Sequence, residues 1–301
     1  MKVYRSKTEK IVYVFIIIFM VLYGITMVYP LLNAAAISFN TGANTTANPG
    51  IIFPKEFTLE NYRAAFKYPD LVPAFMISVS RTILGTLFSM TVITMSAYVM
   101  TKKEFIFKNI VLVIFMVPMF ISAGMIPTYI NMKNLGLLNN YLIYIIPGGF
   151  SFYNFLIMRS YMVGIPSEIE ESARMDGAGF WRVLIRIIVP MSVPVIAALS
   201  LFSAVGHWND YYTTLIYVSN RNLYTLQFLL QRLLREIQQV TDLLNSQVYQ
   251  QLDQSVVTRR TITPTSVRMA ILMITTVPIL IVYPFLQKYF AAGVTLGAVK
   301  G

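Results

Sequence analysis

Six apolar runs dominate this chain of 301 residues: Ile11 to Leu32, Leu71 to Met100, Asn109 to Tyr129, Tyr141 to Val163, Pro190 to Tyr217 and Val267 to Phe290. Each is close to the roughly 20 residues that a helix needs to cross a bilayer core. Runs of that length fix the fold class ahead of any motif. The expectation is an all-α polytopic membrane protein with about six transmembrane helices. Composition agrees, since 56% of residues are hydrophobic and only 12% are charged, whereas a soluble domain carries about a quarter. Ala34-Ala35-Ala36 could pass for a signal-peptide cleavage site. The apolar run before it exceeds the roughly 7–15 residues of a signal h-region, so a retained helix is the expectation. The net charge of +11 comes from basic residues scattered among membrane-flanking segments, which excludes a nucleic-acid face. There is no cysteine, hence no disulfide or thiol chemistry, and the single histidine, His207, cannot build a His-rich metal site.

One stretch breaks the apolar pattern, Pro166 to Pro190, with the sequence PSEIEESARMDGAGFWRVLIRIIVP. Ser167 and Glu170 have the spacing of a capping box, which starts a helix near Glu168. Glu168, Glu170 and Glu171 then fall in the first turn, where the helix dipole favours acidic groups. Gly177 can end that helix in a left-handed conformation. A second helical run, Phe180 to Val189, leads into the span behind Pro190. A helix this short is marginal in water by itself, so the island is expected to dock on something.

The island resembles the EAA signature of the permease subunits of bacterial ABC importers: Glu-Ala-Ala, three residues, Gly, nine residues, Ile, one residue, Leu-Pro. Glu171-Ser172-Ala173, Gly177, Ile187, Val189 and Pro190 stand at that spacing, with Ser172 in place of Ala and Val189 in place of Leu. The resemblance implies a type I importer fold and a cytoplasmic coupling helix seated in a cleft of a separate ATPase subunit. Glu171 would pair with a basic residue there and Gly177 would make the turn. Glu170, Ser172, Ala173, Asp176, Ile187 and Pro190 complete the implied ATPase-coupling set. An ordinary cytoplasmic loop with a capped helix remains the plainer alternative. The tail, Phe290 to Gly301, is similar to the Gly-rich end of the second permease class of maltose-type importers. Phe57-Thr58-Leu59-Glu60-Asn61-Tyr62 resembles an element that precedes the second span in sugar-importer permeases.

The expected layout is an N-terminal helix and outer loop (1–70) and a core permease domain (71–290). A Gly-rich cytoplasmic tail (291–301) follows. The core holds the coupling loop 164–188 and an outer loop 219–266. Leu226, Leu229, Leu230, Leu233, Leu234 and Ile237 give the outer loop an amphipathic helix, and Arg221, Arg232, Arg235, Arg259 and Arg260 make it basic. Those arginines could favour acidic oligosaccharides or simply face lipid headgroups. Six spans put both termini, the Lys102–Lys108 loop and the island on one side, which the positive-inside rule makes cytoplasmic. Pro and Gly recur in spans three to six, as in broken helices that line a pathway or in simple kinks. His207, Trp208, Asn209, Asp210 and Tyr211, in the fifth span, are candidates for the substrate pathway because polar groups in a membrane face a bundle interior or water. An interfacial aromatic anchor is the alternative there.

No Gly is followed by Lys, so there is no phosphate-binding loop. ATP and Mg²⁺ would belong to the partner ATPase, and this chain is expected to hold no cofactor or metal and to catalyse nothing. The resemblance implies a carbohydrate-importing permease in the bacterial cytoplasmic membrane, embedded in lipid, and its details are similar to the uronide or complex-oligosaccharide subgroup. Its partners would be a homologous second permease subunit, two ABC ATPase subunits and an extracytoplasmic solute-binding protein. Two other classes stay open. An ion-coupled secondary transporter would need coupling acids in its spans, which carry little beyond Arg81, Arg159 and Asp210. A membrane-embedded enzyme acting on lipid-linked sugar would need the acidic cluster Glu168, Glu170, Glu171 and Asp176 as its site.

Overall fold

A computed structural model describes residues 7–48, 50–245 and 263–298. Among these residues the secondary structure is helical, with one isolated bridge between Asn40 and Phe57. The elements are α1 (Lys7–Ser38), α2 (Gly42–Ala47), α3 (Glu60–Phe66), α4 (Leu71–Val99), α5 (Lys108–Phe120), α6 (Met125–Asn134), α7 (Phe152–Val163), α8 (Ser167–Met175), α9 (Phe180–Val183), α10 (Val189–Met191), α11 (Val193–Asn209), α12 (Tyr212–Tyr217), α13 (Leu226–Asn245) and α14 (Pro264–Ala298). A π turn, Leu184–Ile188, joins α9 to α10. The chain divides into two compact units, residues 1–68 with 232–277 and residues 69–231 with 278–301.

Among the described residues, three of the six apolar runs form unbroken helices long and apolar enough to cross a membrane: Thr8–Ser38, Leu71–Val99 and Pro264–Val282. In the other three the helix is interrupted, at Gly124 in the third, through Pro147-Gly148-Gly149 in the fourth and at Asp210-Tyr211 in the fifth. The third stops at Phe120 and resumes at Met125, with Gly124 at φ 85° between the pieces. Pro127 then sits in the first turn of α6, where its missing N–H has no helical partner to lose. The fourth is a 3₁₀ turn (Tyr141–Tyr144), an irregular stretch through Pro147-Gly148-Gly149, and α7, whose first turn is capped by the Ser151 hydroxyl accepting from the Asn154 amide. The fifth is α11 and α12, interrupted at Asp210-Tyr211, and a 79° bend separates α11 from the helical run Phe180–Met191 before it. Pro190 explains the π turn, because in a regular helix its ring would press on the Arg186 carbonyl and the widened turn relieves that contact.

In the first unit α1 runs six residues beyond its expected end at Leu32, and Asn61 supplies the reason. Its side chain is fully buried and donates to the carbonyls of Ser38 (3.0 Å) and Asn40 (2.8 Å). The Tyr62 hydroxyl meets the Ser38 hydroxyl at 2.9 Å. These groups satisfy carbonyls that a helix end otherwise leaves orphaned, so the Leu59-Glu60-Asn61-Tyr62 element clamps the end of the first span.

The second unit is built on α4, α7 and α11. Met90, Ile93, Ala97 and Tyr98 of α4 pack with Phe155 and Met158 of α7, Val183, Leu184 and Ile188 of the island, and Leu199 of α11. Gly85 on α4 lets α11 come close: a Cβ there would stand 2.7 Å from the His207 imidazole. Gly149 does the same for Phe88, at 2.3 Å. We predict that Gly85→Ala costs about 1–3 kcal/mol through overpacking. The chain carrying Gly24→Ala, whose Cβ meets nothing within 4 Å, should melt no lower than wild type. Thermal unfolding in detergent compares the two, and equal midpoints would disprove the close contact. The amphipathic helix expected in 219–266 is α13, with Leu226, Leu229, Leu230 and Leu233 buried. Arg259 and Arg260 lie outside the described residues, as do 299–301 of the tail, while Gly293 and Gly297 lie within α14.

Candidate functional site

The island folds into α8, a turn and the α9–α10 run. The helix starts at Ser167, one residue ahead of its expected start, and ends in a Schellman turn. The Ala178 amide donates to the Ala173 carbonyl (3.0 Å), the Gly177 amide donates to the Arg174 carbonyl (2.9 Å), and Gly177 sits at φ 79°. The left-handed residue at this place is the one the sequence offers without a Cβ penalty. The capping box does not form, and no side chain caps the helix at its first residue. Glu170 turns away because stronger partners compete for it.

Those partners come from the end of α4. The Glu170 carboxylate accepts a charge-assisted hydrogen bond from the Lys102 ammonium, another from the Tyr98 hydroxyl (3.1 Å), and a third from Arg174 one turn along α8 (2.7 Å). Lys102 also lies 3.7 Å over the Tyr98 ring, and that ring packs on Phe180 with centroids 4.8 Å apart. Burial works to raise the Glu170 carboxyl, but the Lys102, Tyr98 and Arg174 donors outweigh it and hold the group below its ordinary value. Lys102 is lowered, because burial outweighs the pull of Glu170. The asymmetry has a cause: the carboxylate shares its charge with three donors, whereas the ammonium has one carboxylate and an aromatic face.

The other residues of the implied coupling set divide by face. Glu171, Ser172 and Asp176 are exposed. Among the described residues Glu171 and Asp176 have no side-chain partner. Ala173 is half-buried against the core of the second unit. Ile187 is half-buried in the π turn, and Pro190 is exposed. Met175 is 89% exposed and Trp181 58%, so large apolar groups flank the free acids.

The second candidate cluster surrounds the break in the fifth span. Arg81, 2% exposed, donates to the Asp210 carboxylate (2.6 Å) and to the Asp210 carbonyl (2.9 Å), and its guanidinium lies 4.4 Å over the Tyr144 ring. The other Asp210 oxygen accepts from the Thr213 amide in α12 (3.1 Å). One ion pair thereby serves a carbonyl at the end of α11 and an amide at the start of α12, which would otherwise be orphaned at the break. Trp208 is buried, edge-on to Phe75 at 6.2 Å. His207 is half-buried between Gly85 and Gly148, Asn209 is exposed and accepts from Gln227 (3.3 Å), and Tyr211 is half-buried. Sequence reasoning missed Arg81 as the partner of Asp210 and Lys102 as the partner of Glu170. The signal was present in the first case, because an Arg and an Asp in apolar spans are each too costly alone.

Comparison with known proteins settles the family. The family described as "Binding-protein-dependent transport system inner membrane component" matches residues 89–296. The chain belongs to that family. The match covers α8, the bent run and α11 together. A relative 33% identical over 283 residues, covering 94% of this chain and 96% of its own length, is the polygalacturonan/rhamnogalacturonan transport system permease protein YtcP of Bacillus subtilis (strain 168). Protein LplC of the same organism is 35% identical over 301 residues, 99% of this chain and 98% of its own. Among solved structures, a chain of a bacterial ABC transporter involved in the import of the acidic polysaccharide alginate shares the fold, with TM-score 0.83 and 24% identity over 96% of this chain and all of that one. The chain is therefore an integral-membrane ABC permease subunit, a non-catalytic component of its transporter.

Proposed function

We propose that this permease imports an oligosaccharide, with uronide-containing oligosaccharides the first candidates, and that it works with a homologous second permease, two ABC ATPases and an extracytoplasmic solute-binding protein. ATP and Mg²⁺ are bound by the ATPases. The sugar class is supported by relatives that include permease proteins of polygalacturonan/rhamnogalacturonan and arabinooligosaccharide transport systems. The ATPase contact is supported by one observation above the rest: α8 is tied down at Glu170 while Glu171, Asp176 and Met175 face outward without a partner in the described chain. Met175, with exposed Trp181 on the next helical run, gives this face apolar groups rimmed by unpaired acids, the makeup of a protein-docking surface. In this reading the coupling loop, the Lys102–Lys108 loop and both termini are cytoplasmic, and 219–266 lies outside. The segment His207, Trp208, Asn209, Asp210 and Tyr211 lines the pathway wall at the break in the fifth span.

The test is co-purification from the native membrane of the tagged chain beside Glu171→Ala. Wild type should bring an ABC ATPase and a second permease, and Glu171→Ala should bring several-fold less ATPase at equal permease yield. A wild-type chain that purifies alone and transports without ATP would overturn the reading.

A further inference from the structure

Glu170 and Glu171 are neighbours in sequence, yet they lie about 100° apart around a helix and do different things. Glu171 faces out. Glu170 faces in, and it is the main grip that α8 has on the rest of the chain, because α8 contributes no buried side chain. The docking helix is therefore attached mainly through one carboxylate with two donors outside α8, Tyr98 and Lys102, beside the half-buried Ala173 and an exposed Arg174–Glu104 ion pair (3.8 Å). Tyr98 and Lys102 bracket the C-terminal end of α4. The same end is held from α7, where the Arg159 side chain donates to the Met100 carbonyl (3.4 Å).

α4 is a single helix of 29 residues, and a helix transmits displacement along its axis. Seventeen residues before Tyr98, about 26 Å at 1.5 Å per residue, it carries Arg81, which grips the break between α11 and α12. We propose that Glu170 is a positioning residue: a strut that makes α8 and α4 move as one body, so that a displacement of the docking helix reaches the Arg81–Asp210 break. This rests on the permease reading above and gives Glu170 a role inside the chain rather than on the ATPase.

The sequence contains no cysteine, so two introduced cysteines at exposed Glu168 in α8, outside the docking face, and exposed Leu87 in α4 are the only labelling sites in this chain. Spin labels there report the α8–α4 distance in the assembled, ATPase-bound complex, without nucleotide and trapped with ATP and vanadate. In the wild-type background the distance should be the same in both states. In Glu170→Gln and in Lys102→Met it should shift or broaden on trapping by about one helical turn, roughly 5 Å. The double variant should be no worse than either single one, because both remove the same link. Tyr98→Phe, which deletes a single hydroxyl, should show a smaller change of the same sign and guards against a folding failure of the charge variants. A purely structural role would lower the yield of complex and leave the nucleotide-dependent distance alone.

An unchanged distance in Glu170→Gln overturns the strut. So does loss of the ATPase from Glu170→Gln to the extent seen in Glu171→Ala, because Glu170 would then be a docking residue. Failure of the permease reading shows earlier and elsewhere, in wild type that brings down no ATPase.

Discussion

Asp210→Ala should destabilise the folded chain by about 3–5 kcal/mol, the cost of leaving a buried charge without its partner. Arg81 is 2% exposed and would keep only the backbone carbonyl at position 210 and the face of Tyr144. The break between α11 and α12 would also lose the acceptor for the Thr213 amide. Removing both charges is a different experiment. Arg81→Met with Asp210→Ala should recover much of the loss, because a buried ion pair contributes little net stability once desolvation is counted. Unfolding by a denaturing detergent, followed by tryptophan fluorescence, measures both, and Asp210→Asn, against wild type. If Asp210→Ala unfolds where wild type does, the pair does not hold the break. If Asp210→Asn keeps its stability and loses transport, the carboxylate serves the pathway as well as the fold.

The second large effect is at Gly177. Its φ of 79° is a conformation that costs a residue with a side chain about 1–2 kcal/mol. A nine-residue helix with no buried side chain has little to set against that. A Cβ at Gly177 would meet nothing within 4 Å among the described residues, so the cost there is backbone strain. Gly177→Ala and Gly177→Leu should therefore fray the end of α8 equally, as read by protease sensitivity of 164–188 in the isolated chain. Gly177→Asn, which tolerates the left-handed region, should fray it least. Any further loss of ATPase binding in Leu relative to Ala then reports steric contact with the partner itself. Equal ATPase binding by Ala and Leu would show that nothing sits against this turn.

The helical fold was legible because its signals are local. Apolar runs of about 20 residues, a glycine ten residues after Ser167, and leucines at helical spacing in α13 are patterns within a turn or two of one helix. The family signature was legible for the same reason, since Glu171, Gly177, Ile187 and Pro190 are read at fixed spacing. The Asn61 clamp was visible only as a resemblance, because its acceptors at Ser38 and Asn40 are 23 and 21 residues away.

Where local rules failed, a distant partner had won. Ser167 and Glu170 satisfy a capping box on paper. A charge-assisted bond from Lys102, 68 residues away, is worth more to a carboxylate than a neutral backbone amide. Likewise the fifth span reads as one apolar run, and its break at Asp210 depends on Arg81, 129 residues away, to satisfy the freed carbonyl. The sequence by itself determined the apolar runs, the helix α8 and the glycine turn that ends it. Only the tertiary structure decided where the spans break and which of two adjacent glutamates faces inward. Helix periodicity sets which residues share a face, but packing alone brings a carboxylate to its cation across many tens of residues.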